Sequence, residues 1–566
     1  MAKVRCRLKD PFPLDILPTI DLGNMDGHRD TLIEHVFIVT KSMRVFKQDR
    51  HSIIVGSFGS GKSAVFNLLK NNSDIFNEYQ NDLVVSIDEQ IQFDQLKADT
   101  EILFPGLSEK LSFQLLWKFQ ICRRICEELS LCPNFGNVSD DEKYIAEFLS
   151  RTGGLGGHLS IISRLKELFE RVSFKVKAKL ASIPVDVEVA KDSSKIIHRV
   201  EINLDQVIEK IINTINSRGY RKATVIIDKL DKFVAGEEYK TQKIYIESLL
   251  QVEDDLYDHE NIGFKIFIRS DLYDRLDFSA LGPDKAGDNT LRLHWSTHEI
   301  QSFVAKRLFF SFMKAGVWTL NDIIQSSDFS EYSLRWYEKT LLNENKSGSK
   351  YMVAHFFAKL FGRKRNHQPL FDKLNLTVIN KLFESKIIHE CPLGKGKEIN
   401  IKDFLDTHFL DGNGSCTPRY MLIFLKELLG EASNYYFNSP DIYVTPVLSG
   451  KDWVYNIFTP SLTYKAYIQA KELYINHVSK VDDKWRAAIL ELLSKKGVRT
   501  TFEYKWIKSN ITLKPDENDV GVNFLVYLKV IGFLKETKYD VDIKKRNFEL
   551  PILYKKALGT PNSTLS

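Results

Sequence analysis

Short apolar runs and stretches with helical spacing alternate through the first 300 residues. Ser52-Ile53-Ile54-Val55 is a buried-strand run, and AVFNLLK after it carries apolar residues at the spacing of a helix over 62–70. DLVVSID (82–88) predicts the next strand, and a long helical region follows at about 107–132, LSFQLLWKFQICRRICEELS. Residues 150–220 read as helical with some strand character. A strongly β-forming run, Thr224-Val225-Ile226-Ile227, gives a strand over 223–228, followed by the helix YKTQKIYIESLLQVEDDLY and a strand from Phe264 to Ile268. Leu291-Arg292-Leu293-His294-Trp295 reads as a last short strand, with an N-cap at Ser296 or Thr297 opening a helix. Alternating strands and helices predict an α/β fold, a parallel sheet covered on both faces. The wide gap between the second and third sheet elements predicts an inserted helical subdomain at about 105–200.

The second half is patterned differently. It is helical after the core, with a polar break at NENKSGSK and a short basic loop, GRKRNH (362–367), which reads as a solvated face or as a nucleic-acid contact. Thr417-Pro418 opens a helix, YMLIFLKELL, because proline suits a first helical turn. LTYKAYIQAKELYINHVS (462–479) is a helix. KWRAAILELLSKKG and TTFEYKWI read as helix–turn–helix, GVNFLVYLKV as a third helix, and the segment beyond Ile531-Gly532-Phe533 as two strands around a charged hairpin. Three helices and a β-hairpin make a winged-helix pattern. The expected organisation is a leader (1–45), a core (46–300), a helical lid (301–440) and a winged-helix-like C-terminal domain (441–566).

Composition narrows the class. The 566 residues are 43% hydrophobic and 27% charged, the balance of a soluble globular protein. The 79 basic and 74 acidic residues leave a net charge of +5, which allows a local basic patch without implying nucleic-acid binding. The candidate recognition helix carries Glu503, Lys505 and Lys508, and the hairpin carries Lys544, Lys545 and Arg546. That is modest positive charge, so DNA contact through the C-terminal domain and plain packing both stay open. No stretch reaches the ~20 apolar residues needed to cross a bilayer, so no membrane partner and a cytoplasmic location are expected. Cys122 and Cys126 lie a turn apart with no second Cys/His cluster beside them, and the six cysteines read as reduced structural thiols.

The chemistry is concentrated at the first strand. Gly56-Ser57-Phe58-Gly59-Ser60-Gly61-Lys62-Ser63 fits GxxxxGK[ST] at every fixed position, between a predicted strand and a predicted helix. Small residues let successive backbone N–H groups turn inward around phosphates, and the helix start adds its positive end. Gly56, Gly59, Ser60, Gly61, Lys62, Ser63 and Ala64 are therefore the candidate nucleotide-binding residues. Lys62 can reach the β- and γ-phosphates, and Ser63 can hold Mg²⁺. Asp228 ends a predicted central strand, where a carboxylate can orient Mg²⁺. Position 229 is Lys and not an acid. Asp231 reads either as the group that polarises an attacking water or as a cap. Arg269, at the end of its strand, reads as a γ-phosphate sensor or as one half of an ion pair with Asp271 or Asp274.

GSFGSGKSAVF, TVIIDKLD, FIRSDLYDRLDF, LRLHWS and GSCTPRYMLIFLKEL together resemble the bacterial P-loop ATPases grouped with STAND and KAP-type NTPases, AAA-like proteins. The likeness covers roughly residues 10–430 and includes the charged preface DPFPLDILPTIDLGNMDGHRD. It implies an additional-strand NTPase core with a helical lid, Arg269 as the sensor arginine, and Arg419 of Pro418-Arg419 acting from the lid. The family's usual acid after the magnesium aspartate is replaced by Lys229, which implies slow hydrolysis. Many relatives are oligomerising switches in signalling or defence against phage. The expected function is thus an ATP- and Mg²⁺-dependent switch, a slow ATPase, that forms homo-oligomers or engages a protein effector. The rival reading is a nucleic-acid-binding or scaffolding protein in which the nucleotide is structural.

Overall fold

The structure is a computed structural model that describes residues 11–88, 108–136, 139–152, 172–180, 183–188, 200–230, 239–257, 259–278, 287–317, 378–389, 397–449, 452–480, 483–496, 501–513 and 520–555. The chain divides into two units. One is made of Lys41–Gly56 and Lys62–Leu293, the other of Met1–Thr40, Ser57–Gly61 and His294–Ser566.

The first unit is built on strands β1 (Ile53–Gly56), β2 (Leu83–Ile87), β3 (Val172–Leu180), β4 (Ile183–Glu188), β5 (Val200–Asn203), β6 (Ala223–Ile227), β7 (Ile262–Arg269) and β8 (Thr290–Arg292). Five of them form one sheet in the order β2-β6-β7-β1-β8. Every neighbouring pair in it is parallel. This is a P-loop-like α/β arrangement. β7 lies between β1 and β6.

Every residue of β1 and of β6 is buried, which is why these strands read as unbroken apolar runs rather than alternating ones. The two faces are covered by different helices. Ile54 and Phe267 belong to the face of helix Lys62–Lys70, where Phe66 meets Phe267 edge-on at 6.1 Å. Val55, Val85, Val225 and Ile266 share the opposite core with Phe113 and Trp117 of helix Glu109–Ser130, Ile211 of Leu204–Ser217 and Leu249 of Tyr239–Tyr257. The Trp117 indole N–H donates to the Tyr245 carbonyl at 3.2 Å and fixes two of these helices to each other.

The insertion expected to be helical is mixed. It holds the helices Glu109–Ser130 and Asp140–Arg151, and also the three-stranded sheet β4-β3-β5, antiparallel between β3 and β4 and parallel between β3 and β5. The cause is visible in VSFKVKAKL and IPVDVE, whose apolar residues recur with the period of two that belongs to strands. The described cysteines Cys122, Cys126, Cys132 and Cys416 form no disulfide.

At the N-terminal edge of the main sheet a charged network ties the strands together. Asp49 receives Lys222 at 2.7 Å and Lys265 at 2.9 Å. Arg221 bridges Asp49 to Asp82, and Asp82 also accepts from Thr224 of β6 at 2.6 Å. Lys265, 3% exposed, donates to the His51 carbonyl as well. Burial alone would raise the Asp49 carboxyl, but Lys265 and Lys222 overcome it and hold it well below the usual carboxylate range.

In the second unit, helix Thr297–Lys314 begins with a complete Ser296/Glu299 capping box, and Thr417 caps helix Pro418–Phe437 with Pro418 in its first turn. These two pack with Pro460–Ser479 around Phe309, Phe404, Tyr420 and Phe424. Arg307 and Asp30 form a buried pair at 2.5 Å, and Arg307 also donates to the Leu22 carbonyl. Residues 483–549 run as helix Asp483–Lys496, strand Thr501–Glu503, helices Tyr504–Asn510 and Val520–Val530, then strands Lys535–Lys538 and Asn547–Glu549. The three strands pair antiparallel, with the last in the middle. The part of TTFEYKWI within the described residues, 501–507, is therefore a strand and the start of a short helix rather than one helix. The basic loop 362–367 lies outside the described residues.

Asp49→Ala strands a buried lysine and should cost about 3–5 kcal/mol in urea unfolding at neutral pH. The carboxylate's folded pKa lies below its ordinary value of 3.8, so its contribution is full above that value and drains away as the pH falls further. Variant and parent should therefore converge in strong acid. Glu253, 4% exposed, has the opposite sign: burial pushes it up to about 7 from an ordinary 4.5, against smaller pulls from Ser52 and then Lys265. The folded state then holds the extra proton between those values, and stability falls as pH rises through them. Glu253→Gln should remove that fall, and a variant that tracks the parent from pH 4.5 to 8 would refute the assignment.

Candidate phosphate-binding site

The C-terminal edge of the main sheet is where the order of connections reverses. From β1 the chain crosses to β2, returns through β6 and β7, and then passes to β8 on the other side of β1. Such a switch point opens a crevice beyond the strand ends. Gly56, Arg269 and Asp228 all sit at this edge. Gly56 stands in register with Arg269, and Ile227, directly before Asp228, stands in register with Ile266.

The loop from Gly56 to Lys62 departs from ordinary backbone at two places. Gly59 has φ +80° and Gly61 φ +99°, both in the left-handed region that disfavours side chains. Gly61 has open space around it, so conformation alone demands glycine there. Gly59 has a second reason, since a Cβ would lie 2.7 Å from the Arg419 Cβ. Ser60 closes a turn onto the Ser57 carbonyl at 3.2 Å. Its side chain is buried, and its hydroxyl makes no hydrogen bond among the described residues. Lys62 Nζ donates to the Gly56 carbonyl at 2.7 Å, so the lysine arches over the loop it terminates. Ser63 and Ala64 open the helix, Ala64 buried and Ser63 half-buried.

Within the unit that contains residues 57–61, Arg419 lies against this loop. Its guanidinium stands 4.2 Å from the centre of the Phe58 ring, and its backbone N–H reaches the Gly59 carbonyl at 3.5 Å. The Trp295 indole donates to the Ser60 carbonyl at 2.9 Å. The family resemblance singled out Arg419. Phe58 stands at a variable position of the loop motif, and Trp295 reads in the sequence only as the end of a short strand; the fold brings Trp295 and Arg419 to the loop.

Asp228 is 4% exposed, and its backbone N–H is held by the Ile87 carbonyl of β2. Lys229 directs its ammonium to Asp88 at 3.6 Å, and Asp88 also receives Lys70 at 3.3 Å. Lys229 has φ +64°, a strained conformation for a lysine. Arg269 forms the ion pair that its sequence left open. Its Nε donates to Asp271 Oδ1 at 2.8 Å, and a second, closer contact joins NH2 to Oδ2. Burial would raise the Asp271 carboxyl, but Arg269 outweighs it and holds it below the ordinary value. Asp274 is taken by Arg292 at 2.6 Å. Asp231 lies outside the described residues.

Ser63 and Asp228 are oxygen donors, few in number, of the kind Mg²⁺ uses when phosphates and water complete its shell. No group of three or more His, Cys, Asp or Glu side chains suited to holding a metal by themselves occurs among the described residues. No helix among them is long and apolar enough to cross a membrane.

No protein-family model matches the chain, and no curated protein matches it. Among solved structures it is similar to the ORC2 protein of Aeropyrum pernix, described as ADPNP–ADP complexes, with 10% identity over 89% of this chain and 84% of that one. The TM-score is 0.32, below the level from which a shared fold follows.

The partnership of Lys229 with Asp88 predicts that an acid at 229 will not act as a missing catalytic group. Lys229→Glu should set a carboxylate against Asp88, lower stability by about 1 kcal/mol in low salt, and leave phosphate release no faster. Faster release would show that the position serves chemistry.

Proposed function

We propose that the chain binds ATP with Mg²⁺ on the loop Gly56–Ser63 and works as a slow P-loop ATPase switch. The observation that carries the reading is the loop itself. A GxxxxGKS segment joins a buried parallel strand to a helix, with glycine at each of its two left-handed positions and a buried aspartate ending a strand of the same sheet. In this reading the backbone amides and Lys62 hold the phosphates, Ser63 and Asp228 hold Mg²⁺, and Asp231 prepares the attacking water. Arg419 acts on the nucleotide from the helix it opens. Arg269 reads the γ-phosphate only by giving up Asp271, a cost that favours holding ATP over hydrolysing it quickly. The resemblance to STAND and KAP-type ATPases supports a switch that assembles or recruits an effector, with anti-phage defence as one setting.

The same proposal takes residues 483–549 as a winged helix that packs against protein rather than reading DNA. Helix Val520–Val530 exposes Asn523 and Val526, and its single lysine, Lys529, is held by Glu536 at 2.7 Å. A helix with no available cation is poorly suited to a phosphate-lined groove.

Titration with Mg²⁺–ATP should give tight binding to the parent and a loss of at least about 100-fold in Lys62→Ala, the lysine being a point charge on the phosphates. Asp228→Ala should abolish multiple-turnover phosphate release. Unchanged ATP binding by Lys62→Ala would overturn the proposal. A solution mass that increases with ATP would identify assembly as the output.

A further inference from the structure

We propose that Trp295 is a positioning residue for the phosphate loop, setting the direction of the Gly61 amide through the Ser60 carbonyl. The inference rests on the reading of residues 56–63 as a phosphate site. Gly59 and Gly61 flank Ser60, and both lie at positive φ. A flip of the peptide joining Ser60 to Gly61 turns ψ of Ser60 and φ of Gly61, and on the Gly61 side no Cβ resists it. A peptide is planar, and its C=O and N–H point in opposite directions. Whatever holds the Ser60 carbonyl therefore aims the Gly61 N–H the other way.

The Trp295 indole supplies that hold at 2.9 Å. Three other contacts of the loop fall elsewhere: the Ser60 N–H goes to Ser57, Lys62 takes the Gly56 carbonyl, and Arg419 takes the Gly59 carbonyl. The indole is itself fixed. Trp295 is 8% exposed, its ring meets Phe303 edge-on at 6.0 Å, and the next residue, Ser296, caps the helix that carries Phe303. A rigid donor on a helix start thus sets one peptide of a glycine-rich turn. A phosphate that uses the Gly61 amide meets it already oriented, without the entropy cost of ordering it.

Trp295→Phe tests this, because it keeps a ring against Phe303 and removes the donor, along with part of the buried indole's volume. The expected result is ATP and ADP affinity weakened about three- to tenfold, as for one lost hydrogen bond. Adenosine affinity should not change, even though the smaller ring lowers the thermal midpoint without nucleotide, and a merely structural role would not separate ATP from adenosine. Should Trp295→Phe fail to fold, benzothienylalanine at 295 puts sulfur in place of the N–H in the same shape and is held to the same result. Parent-like ATP affinity in a folded donor-less variant, or equal losses for ATP and adenosine, would overturn the inference. A parent that binds no ATP, or binds it without need of Lys62, would instead overturn the phosphate-site reading.

Discussion

Burial of the parallel sheet on both faces is the constraint on which the rest of the first unit depends. Strands such as Ala223–Ile227 have no solvent face, so their polar residues are driven to the two edges. The N-terminal edge collects opposite charges that pair with one another, Asp49 and Asp82 with Lys222, Lys265 and Arg221. The C-terminal edge collects Gly56, Asp228 and Arg269. One edge is therefore a closed electrostatic lock, and the other presents groups suited to a ligand.

The loop at that second edge is held by chemistry that its own residues do not contain. Glycine supplies the left-handed turns, but the same freedom leaves the loop's peptides without a preferred orientation. Trp295 and Arg419 restrict it from outside, at Ser60, Gly59 and Phe58. Two ion pairs bear on the site in different ways. Asp271 engages Arg269 at the end of β7, and Asp88 draws Lys229 away from any role beside Asp228. Both temper an active-site reading that rests on residue types alone.

The strands and their order of appearance were legible because apolar runs and helical spacing report burial directly. β1, β2, β6, β7 and the helices Tyr239–Tyr257 and Pro418–Phe437 lie where the patterning puts them. The Ser296 and Thr417 caps were legible for a local reason, since a cap is a contact between residues three apart. The sheet β4-β3-β5 was only half visible, because its lysine-rich alternation sits among helical stretches. The Asp271 partner of Arg269 was one of two candidates two and five residues away, and spacing could not choose between them.

By itself the sequence determined that a glycine-rich turn with Lys62 and Ser63 follows a buried strand, and that an aspartate and an arginine end two later ones. These are local properties, fixed by steric preference and by periodic burial. The tertiary structure decided which strand lies between which, that Lys229 answers to Asp88, and that an indole more than 230 residues away holds the Ser60 carbonyl. Those contacts join residues far apart in the chain, where hydrophobic pattern reports that a side chain is buried but carries nothing about what it is buried against.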